Sequence, residues 1–224
     1  MKVLVACEES QRVCIAFRER GHEAYSCDII EPSGNHPEWH ILGDALRILF
    51  PSKTWGDIVF DTMDGVEHSV KKWDLIIAHP PCTYLSAAGA VRLYNANHEI
   101  KDQERFEKGK RAARFFREFL NADCEHICVE NPIPLQVFGL PKYTQIIQPY
   151  FFGDPWKKKT CLWLKGLPAL QPDNVVDPIG YWVGAHGHDK APYGMIKGFR
   201  DQKTRSKTFE GIARAMAEQW GNIV

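Results

Sequence analysis

The sequence has no net charge, with 28 lysines and arginines against 28 aspartates and glutamates. No overall field draws it to nucleic acid, so any such contact must rest on a local patch. It has no apolar run near the roughly 20 residues that cross a bilayer. Its seven cysteines (7, 14, 27, 82, 124, 128 and 161) form no Cys-x-x-Cys pair, and their number is odd. The apolar run Val3 to Cys7 is too short for the core of a secretory leader, and Glu8-Glu9 follow it. These absences set the expectation of a reducing, cytoplasmic location. Internal repeats and low-complexity tracts are also missing. What is present is 224 residues, 44% hydrophobic and 25% charged, enough for one sizeable core with a small appendage.

The chain is organised around Leu75-Ile76-Ile77-Ala78-His79-Pro80-Pro81-Cys82. Leu75 to Ala78 has the length and character of a buried strand. Two prolines end it, since neither can continue a central strand. A cysteine then stands at the strand's carboxyl end, where open α/β sheets collect their chemistry. The prolines stiffen the backbone ahead of the thiol, which suits a nucleophile that must meet one atom. An ordinary buried cysteine at a strand exit is the competing reading.

The N-terminal part reads as strand, turn, helix, strand and acid. Lys2 to Cys7 is the first strand and Glu8 to Gln11 a polar turn. Val13, Ala16 and Phe17 recur at helical spacing until Gly21, and Glu23 to Cys27 is a strand closed by Asp28. That is the opening of a nucleotide-binding βαβ unit, in which an acid at the second strand's tip accepts ribose hydroxyls. Asp28 is the candidate, against the alternative of a solvated strand-end acid. Asp44 has the position of a helix cap before Ala45-Leu46. Residues 66–72 are expected to hold a short helix. Thr83 to Asn97 is small-residue loop, and Lys101 to Leu120 is a helix with Gly109, Ala112, Ala113, Phe116, Phe119 and Leu120 on one face. Glu125 to Val129 is a second strand that ends at an acid and a proline, Glu130-Asn131-Pro132.

Pro80-Pro81-Cys82 with Leu85-Ser86, followed by Glu130-Asn131, resembles the catalytic motifs of cytosine-5 DNA methyltransferases. The resemblance implies an α/β, Rossmann-like S-adenosylmethionine-dependent methyltransferase fold, with a mostly parallel sheet and a small irregular C-terminal recognition region. It implies a catalytic domain over 1–165 completed by a helix at 207–221, with 166–206 as a reduced target-recognition region. Cys82 would attack C6 of cytosine, Glu130 would grip the N3 edge, and one lysine of Lys157-Lys158-Lys159, here taken as Lys159, would approach the carbonyl oxygen. S-adenosyl-L-methionine would lie among Cys7, Glu8, Ser10, Asp28, Ile29, Asp44 and Pro80, with Asp44 on the adenine amino group. Pro81, Ser86 and Asn131 would face the substrate. The first turn departs from the family pattern in having no glycine, so Glu8 or Glu9 is assigned the cofactor's amino group or sulfonium. His79 and Thr83 depart from the small residue and glutamine usual beside the motif, and lysines replace the usual arginines.

From Gly166 to Arg205 prolines and glycines break any period. Lys190, Lys197, Arg200, Lys203, Arg205 and Lys207 against Asp201 make this segment locally basic. Interleaved with Tyr181, Trp182, Tyr193 and Phe199, they suit a nucleic-acid backbone and its bases. His186 and His188 have no third ligand to suggest a metal site. Thr208 to Trp220 is a closing helix. The expected partner is cytosine-containing DNA. RNA or a free pyrimidine nucleotide, an amino-group DNA methyltransferase, and a catalytically silent DNA-binding or inhibitor protein of the same fold are the alternatives.

Overall fold

The computed structural model describes residues 1–51, 56–182 and 201–223. In chain order the strands and helices are β1 (Lys2–Ala6), α1 (Arg12–Glu19), β2 (Glu23–Asp28), β3 (His40–Leu42), β4 (Ile58–Asp61), β5 (Glu67–Val70), β6 (Leu75–Ala78), α2 (Ala90–Leu93), α3 (Gln103–Leu120), β7 (His126–Asn131), β8 (Gln145–Ile147), β9 (Trp156–Lys157), β10 (Thr160–Lys165), β11 (Gly180–Tyr181), α4 (Gln202–Ser206) and α5 (Glu210–Trp220).

Seven strands form one sheet in the order β3-β2-β1-β6-β7-β10-β8. The first five run parallel, and β10 is antiparallel to both its neighbours. This is the expected Rossmann-like, mostly parallel sheet. The winding reverses between β1 and β6, which places a topological switch point at their carboxyl ends.

Both faces of the sheet are covered, so its central strands read as continuous apolar runs. Val3, Val5, Leu75, Ile77, Cys128 and Leu162 point to the face carrying Val13 and Phe17 of α1 and Ile212, Met216 and Trp220 of α5. Leu4, Ala6, Ile76, Ala78, Ile127 and Val129 point to the other, against Ala113, Phe116 and Phe119 of α3 and Ile58 and Phe60 of β4. Asp102 caps α3, its Oδ1 accepting from the Arg105 amide at 2.8 Å. Within α3, Gly109 faces Phe138 so closely that a Cβ there would stand 2.1 Å from the ring.

Residues 66–72 form no helix. Glu67–Val70 pairs antiparallel with Ile58–Asp61. Glu67 and Ser69 are exposed while His68 and Val70 are more buried, a period of two that fits a half-buried strand. Gly65, at φ 83°, closes the turn between the strands. Thr83 to Asn97 is likewise more ordered than a loop, with a 3-10 turn at Ala87–Gly89 leading into α2. Among the described residues, no helix is long and apolar enough to cross a membrane.

Candidate active site

Strand register builds the site. Ala6 lies beside Cys27 on one side and Ala78 on the other, and Ala78 lies beside Val129. One residue further along, Asp28, Cys7, His79 and Glu130 therefore stand in a row across the carboxyl edge of four adjacent strands. The His79 amide still donates to the Ala6 carbonyl at 2.9 Å, and the Glu8 amide to Cys27 at 3.2 Å, so the row is tied to the sheet. His79 and Glu130 continue the two-residue period of Leu75, Ile77 and Cys128, so they face the side covered by α5. There His79, Glu130, Lys158, Thr160, Ser206, Thr208, Phe209, Ile212 and Met216 line a small cleft.

Glu130 is largely buried, and its Oε2 lies 3.4 Å from His79 Nδ1, close for an ion pair and long for a hydrogen bond. Burial pushes its carboxyl up, but His79, the Lys158 ammonium and the Thr160 hydroxyl together hold it below the usual carboxylate range. Cys82, half-buried in the loop after β6, lies within electrostatic reach of Glu130, Lys158 and Arg205. Burial and the Glu130 charge raise its thiol, and the two cations only partly offset them. These surroundings do not by themselves supply the depressed pKa that a nucleophilic thiol calls for.

The loop that carries Cys82 is braced. Its carbonyl accepts from the Leu85 and Ser86 amides at 3.1 and 3.0 Å, and Leu85 is fully buried. Arg105 on α3 donates to the Thr83 carbonyl at 2.7 Å. Buried Asn131 donates from Nδ2 to the Pro80 carbonyl at 3.2 Å, tying the ends of β7 and β6 together. Ser86 Oγ accepts from the Ala88 amide at 3.2 Å and so caps the turn that follows. Asn131 and Ser86, expected on the substrate, thus hold the loop's shape. Pro80 is buried and Pro81 exposed beside it.

At the cofactor end the glycine-free turn has a physical solution. Cys7 and Gln11 take the left-handed backbone, at φ 59° and 57°, that glycine would adopt at less cost. Buried Glu8 turns its carboxylate onto the start of α1, accepting from the Val13 amide at 2.7 Å and the Cys14 amide at 3.2 Å. Those bonds satisfy helix donors that lack intrahelical partners, and the helix dipole favours the charge. Both Glu8 carboxylate oxygens are thus engaged by the helix. Neighbouring Glu9 is buried with both carboxylate oxygens unpartnered among the described residues. Ser10 is buried in the same turn.

Asp28 is half-buried, and burial raises its carboxyl although the Ile30 and Ile29 amides favour its charge. Ile29 beside it is 76% exposed, and Ile30 and Leu42 are exposed too, an apolar ledge at the strand tips. Asp44 is exposed and caps a 3-10 turn, its Oδ1 accepting from the Leu46 amide at 3.0 Å. Asp28 and Asp44 both raise the Cys7 thiol, after burial, so the three lie close together.

Sequence reasoning chose Lys159, but that residue is exposed outside the cleft. Lys158 lines it, its Nζ donating to the Arg205 carbonyl at 3.0 Å. His79 and Thr160, which also line the cleft, were not among the expected site residues, although His79 was visible as a departure from the family motif. Lys203 is exposed at the end of α4, while Lys207 is held by Ser33 Oγ at 3.0 Å. Lys190, Lys197 and Arg200, with His186, His188, Tyr193 and Phe199, lie outside the described residues.

No protein-family model matches the sequence, and no curated protein matches it. The backbone is similar to solved methyltransferase structures. A protein encoded in an E. coli prophage, described as a DNA modification methyltransferase, is 12% identical over 80% of this chain and 52% of its own, at a TM-score of 0.44. An Entamoeba histolytica methyltransferase is 14% identical over 79% of this chain and 57% of its own, also at 0.44. The S. pombe Dnmt2 methyltransferase is 14% identical over 75% of this chain and 51% of its own, at 0.38. The chain spans about half the length of these structures. At such identities the likeness lies in the course of the backbone.

Proposed function

We propose that this chain transfers a methyl group to C5 of cytosine in DNA through a covalent Cys82 adduct. The observation that carries the reading is the placement of Cys82 just past the carboxyl end of β6, within electrostatic reach of Glu130 at the end of neighbouring β7 and next to the switch point. A nucleophile and a carboxyl group within electrostatic reach of each other suit addition to a pyrimidine. Cys82 Sγ bonds to C6, and Glu130 supplies a proton at N3. C5 thereby becomes the electron-rich atom. Loss of the C5 proton and departure of Cys82 restore the ring. A base in a duplex is extruded first. Lys158, facing the same cleft, takes the place assigned to Lys159 on the carbonyl oxygen.

The strand tips suit S-adenosyl-L-methionine, which supplies an electrophilic methyl group when bound. Asp28 is positioned for the ribose hydroxyls and the Ile29–Leu42 ledge for an adenine ring. The orphaned Glu9 carboxylate suits the ammonium or the sulfonium, the role Glu8 gives up to its helix. Cys7, Ser10 and Pro80 are assigned to the same cofactor site, and Asp44 to the adenine amino group.

The deciding experiment supplies methyl-labelled S-adenosylmethionine with DNA, RNA or dCMP in separate reactions and identifies the methylated base by mass spectrometry. 5-Methylcytosine in DNA supports the proposal. Label in RNA or dCMP redirects it to those substrates, and N-methylated bases overturn the Cys82 chemistry. No transfer to any of the three favours the silent, DNA-binding alternative.

A further inference from the structure

His79 is the member of the strand-end row that this reaction leaves without a task. Its side chain is 9% exposed, with Nδ1 against Glu130 and Nε2 buried without a hydrogen-bond partner among the described residues. An unpaired ring nitrogen in that position costs stability. Charged groups meet around the ring from several elements. Glu130 comes from β7, Glu8 from the first turn and Asp28 from β2, the last two within electrostatic reach. Lys158, ahead of β10, shares its cleft, and Arg205 of α4 reaches nearby Cys82. From the α5 side the cleft receives apolar Phe209, Ile212 and Met216.

The proposed addition needs a proton at ring N3. Glu130 is held toward its ionised form, and a carboxylate only accepts. The side chain in contact with that carboxylate is the His79 imidazole, whose Nδ1 can hold or give up a proton. We propose that His79 is the proton partner of Glu130, passing a proton from Nδ1 to the carboxylate as Glu130 protonates the ring, and recovering it at the end. The inference rests on the reaction above.

The step balances. Cys82 reacts as its thiolate, the thiol proton having gone to solvent and returning from it at the end. As Sγ bonds to C6, the C5=C6 pair shifts to C4–C5 and the C4=N3 pair moves onto N3, which takes the proton. The C4=C5 pair then becomes the bond from C5 to the methyl group, and the N3 pair re-forms C4=N3. On release the C5 proton goes to solvent and the C6–Sγ pair returns to sulfur. The N3 proton returns to Glu130, and Nδ1 regains its own. His79 acts through Glu130, so it is a positioning residue.

The test reads the Glu130 carboxyl directly by carbon-13 NMR of the ligand-free chain, its signal assigned by its loss in Glu130→Gln. In wild type the signal is expected to move in two steps with pH, the second following the imidazole, because coupled groups titrate as a pair. His79→Gln, which keeps an amide donor but no exchangeable ring proton, should leave one step. His79→Ala should leave one step at higher pH than His79→Gln. In turnover, His79→Gln should lower kcat by roughly tenfold or more, the scale of lost proton transfer, with KM for DNA changed far less. Its pH profile should lose one limb. A single step in wild type, or a folded His79→Gln with the wild-type titration and pH profile, overturns the inference. If the two steps are present but wild type makes no 5-methylcytosine, the His79–Glu130 pair stands and the reaction reading falls.

Discussion

Cys82 has a surrounding that restrains it. Burial and Glu130 raise its thiol against Lys158 and Arg205, so little of it is thiolate near neutrality in the ligand-free chain. Its alkylation by iodoacetamide should therefore be slower than that of a free thiol at pH 7.5 and should climb with pH beyond the ordinary thiol range. Removing the nearby charge in Glu130→Gln should speed the reaction, as read by mass spectrometry of the Cys82 peptide. A Cys82 that reacts faster than a free thiol at neutral pH would contradict this account. With substrate, Cys82→Ser should abolish methyl transfer. DNA carrying 5-fluorocytosine has no C5 proton to lose, so wild type should remain linked to it as a denaturation-resistant band that Cys82→Ser does not form. Asp28→Ala should weaken S-adenosylhomocysteine binding by about 1–3 kcal/mol, the loss of a charged hydrogen-bond partner. Calorimetry on the folded variant that finds unchanged affinity would remove Asp28 from the cofactor site.

At the scale of elements, two substitutions separate architecture from chemistry. In an open helix interior Gly→Ala usually stabilises, since glycine is the poorer helix former by about 0.8–1.0 kcal/mol. Gly109 in α3 should reverse that sign, because its Cβ would enter the Phe138 ring. Overpacking costs about 1–3 kcal/mol, more than the propensity gain, so Gly109→Ala should lower the urea midpoint. A rise would mean that Phe138 moves aside freely. Glu8 is the other case. Its two bonds to the first amides of α1 replace the side-chain cap that Gln11 does not supply. Glu8→Ala should cost about 0.5–2 kcal/mol of stability, the range for a lost helix cap, measured by urea unfolding without cofactor. Unchanged stability would mean that these bonds do not act as the cap. The same bonds explain how a first turn without glycine still joins β1 to α1.

For the whole molecule, a net charge of zero leaves DNA affinity to a local patch. Lys203 is exposed on α4, next to the segment that brings Arg205 toward Cys82. If it contacts a phosphate, Lys203→Ala should weaken binding of every DNA sequence alike and lower the salt slope by about one. Affinity that does not change with salt would point to a free nucleotide instead.

Much of this architecture was legible in the sequence because it rests on local patterns. Apolar runs of strand length, the helical spacing of α1 and α3 with Gly21 after the first, and proline stops after β6 and β7 mark elements through residue-by-residue conformational cost. The ends of β6 and β7 singled out Cys82 and Glu130 because chemistry collects at such ends. The hairpin at β4 and β5 was not legible, since its strands are short and only cross-strand burial distinguishes them from a helix. Tertiary structure alone decided which side chains meet. Register set His79 beside Glu130, and the fold of the β9–β10 link turned Lys158 inward and left Lys159 in solvent. It also gave Glu8 to a helix and left Glu9 unpaired. Adjacent residues in a chain share composition and charge, but the direction of each side chain is fixed by the strand, helix or turn packed against it, and those partners come from segments far away in sequence.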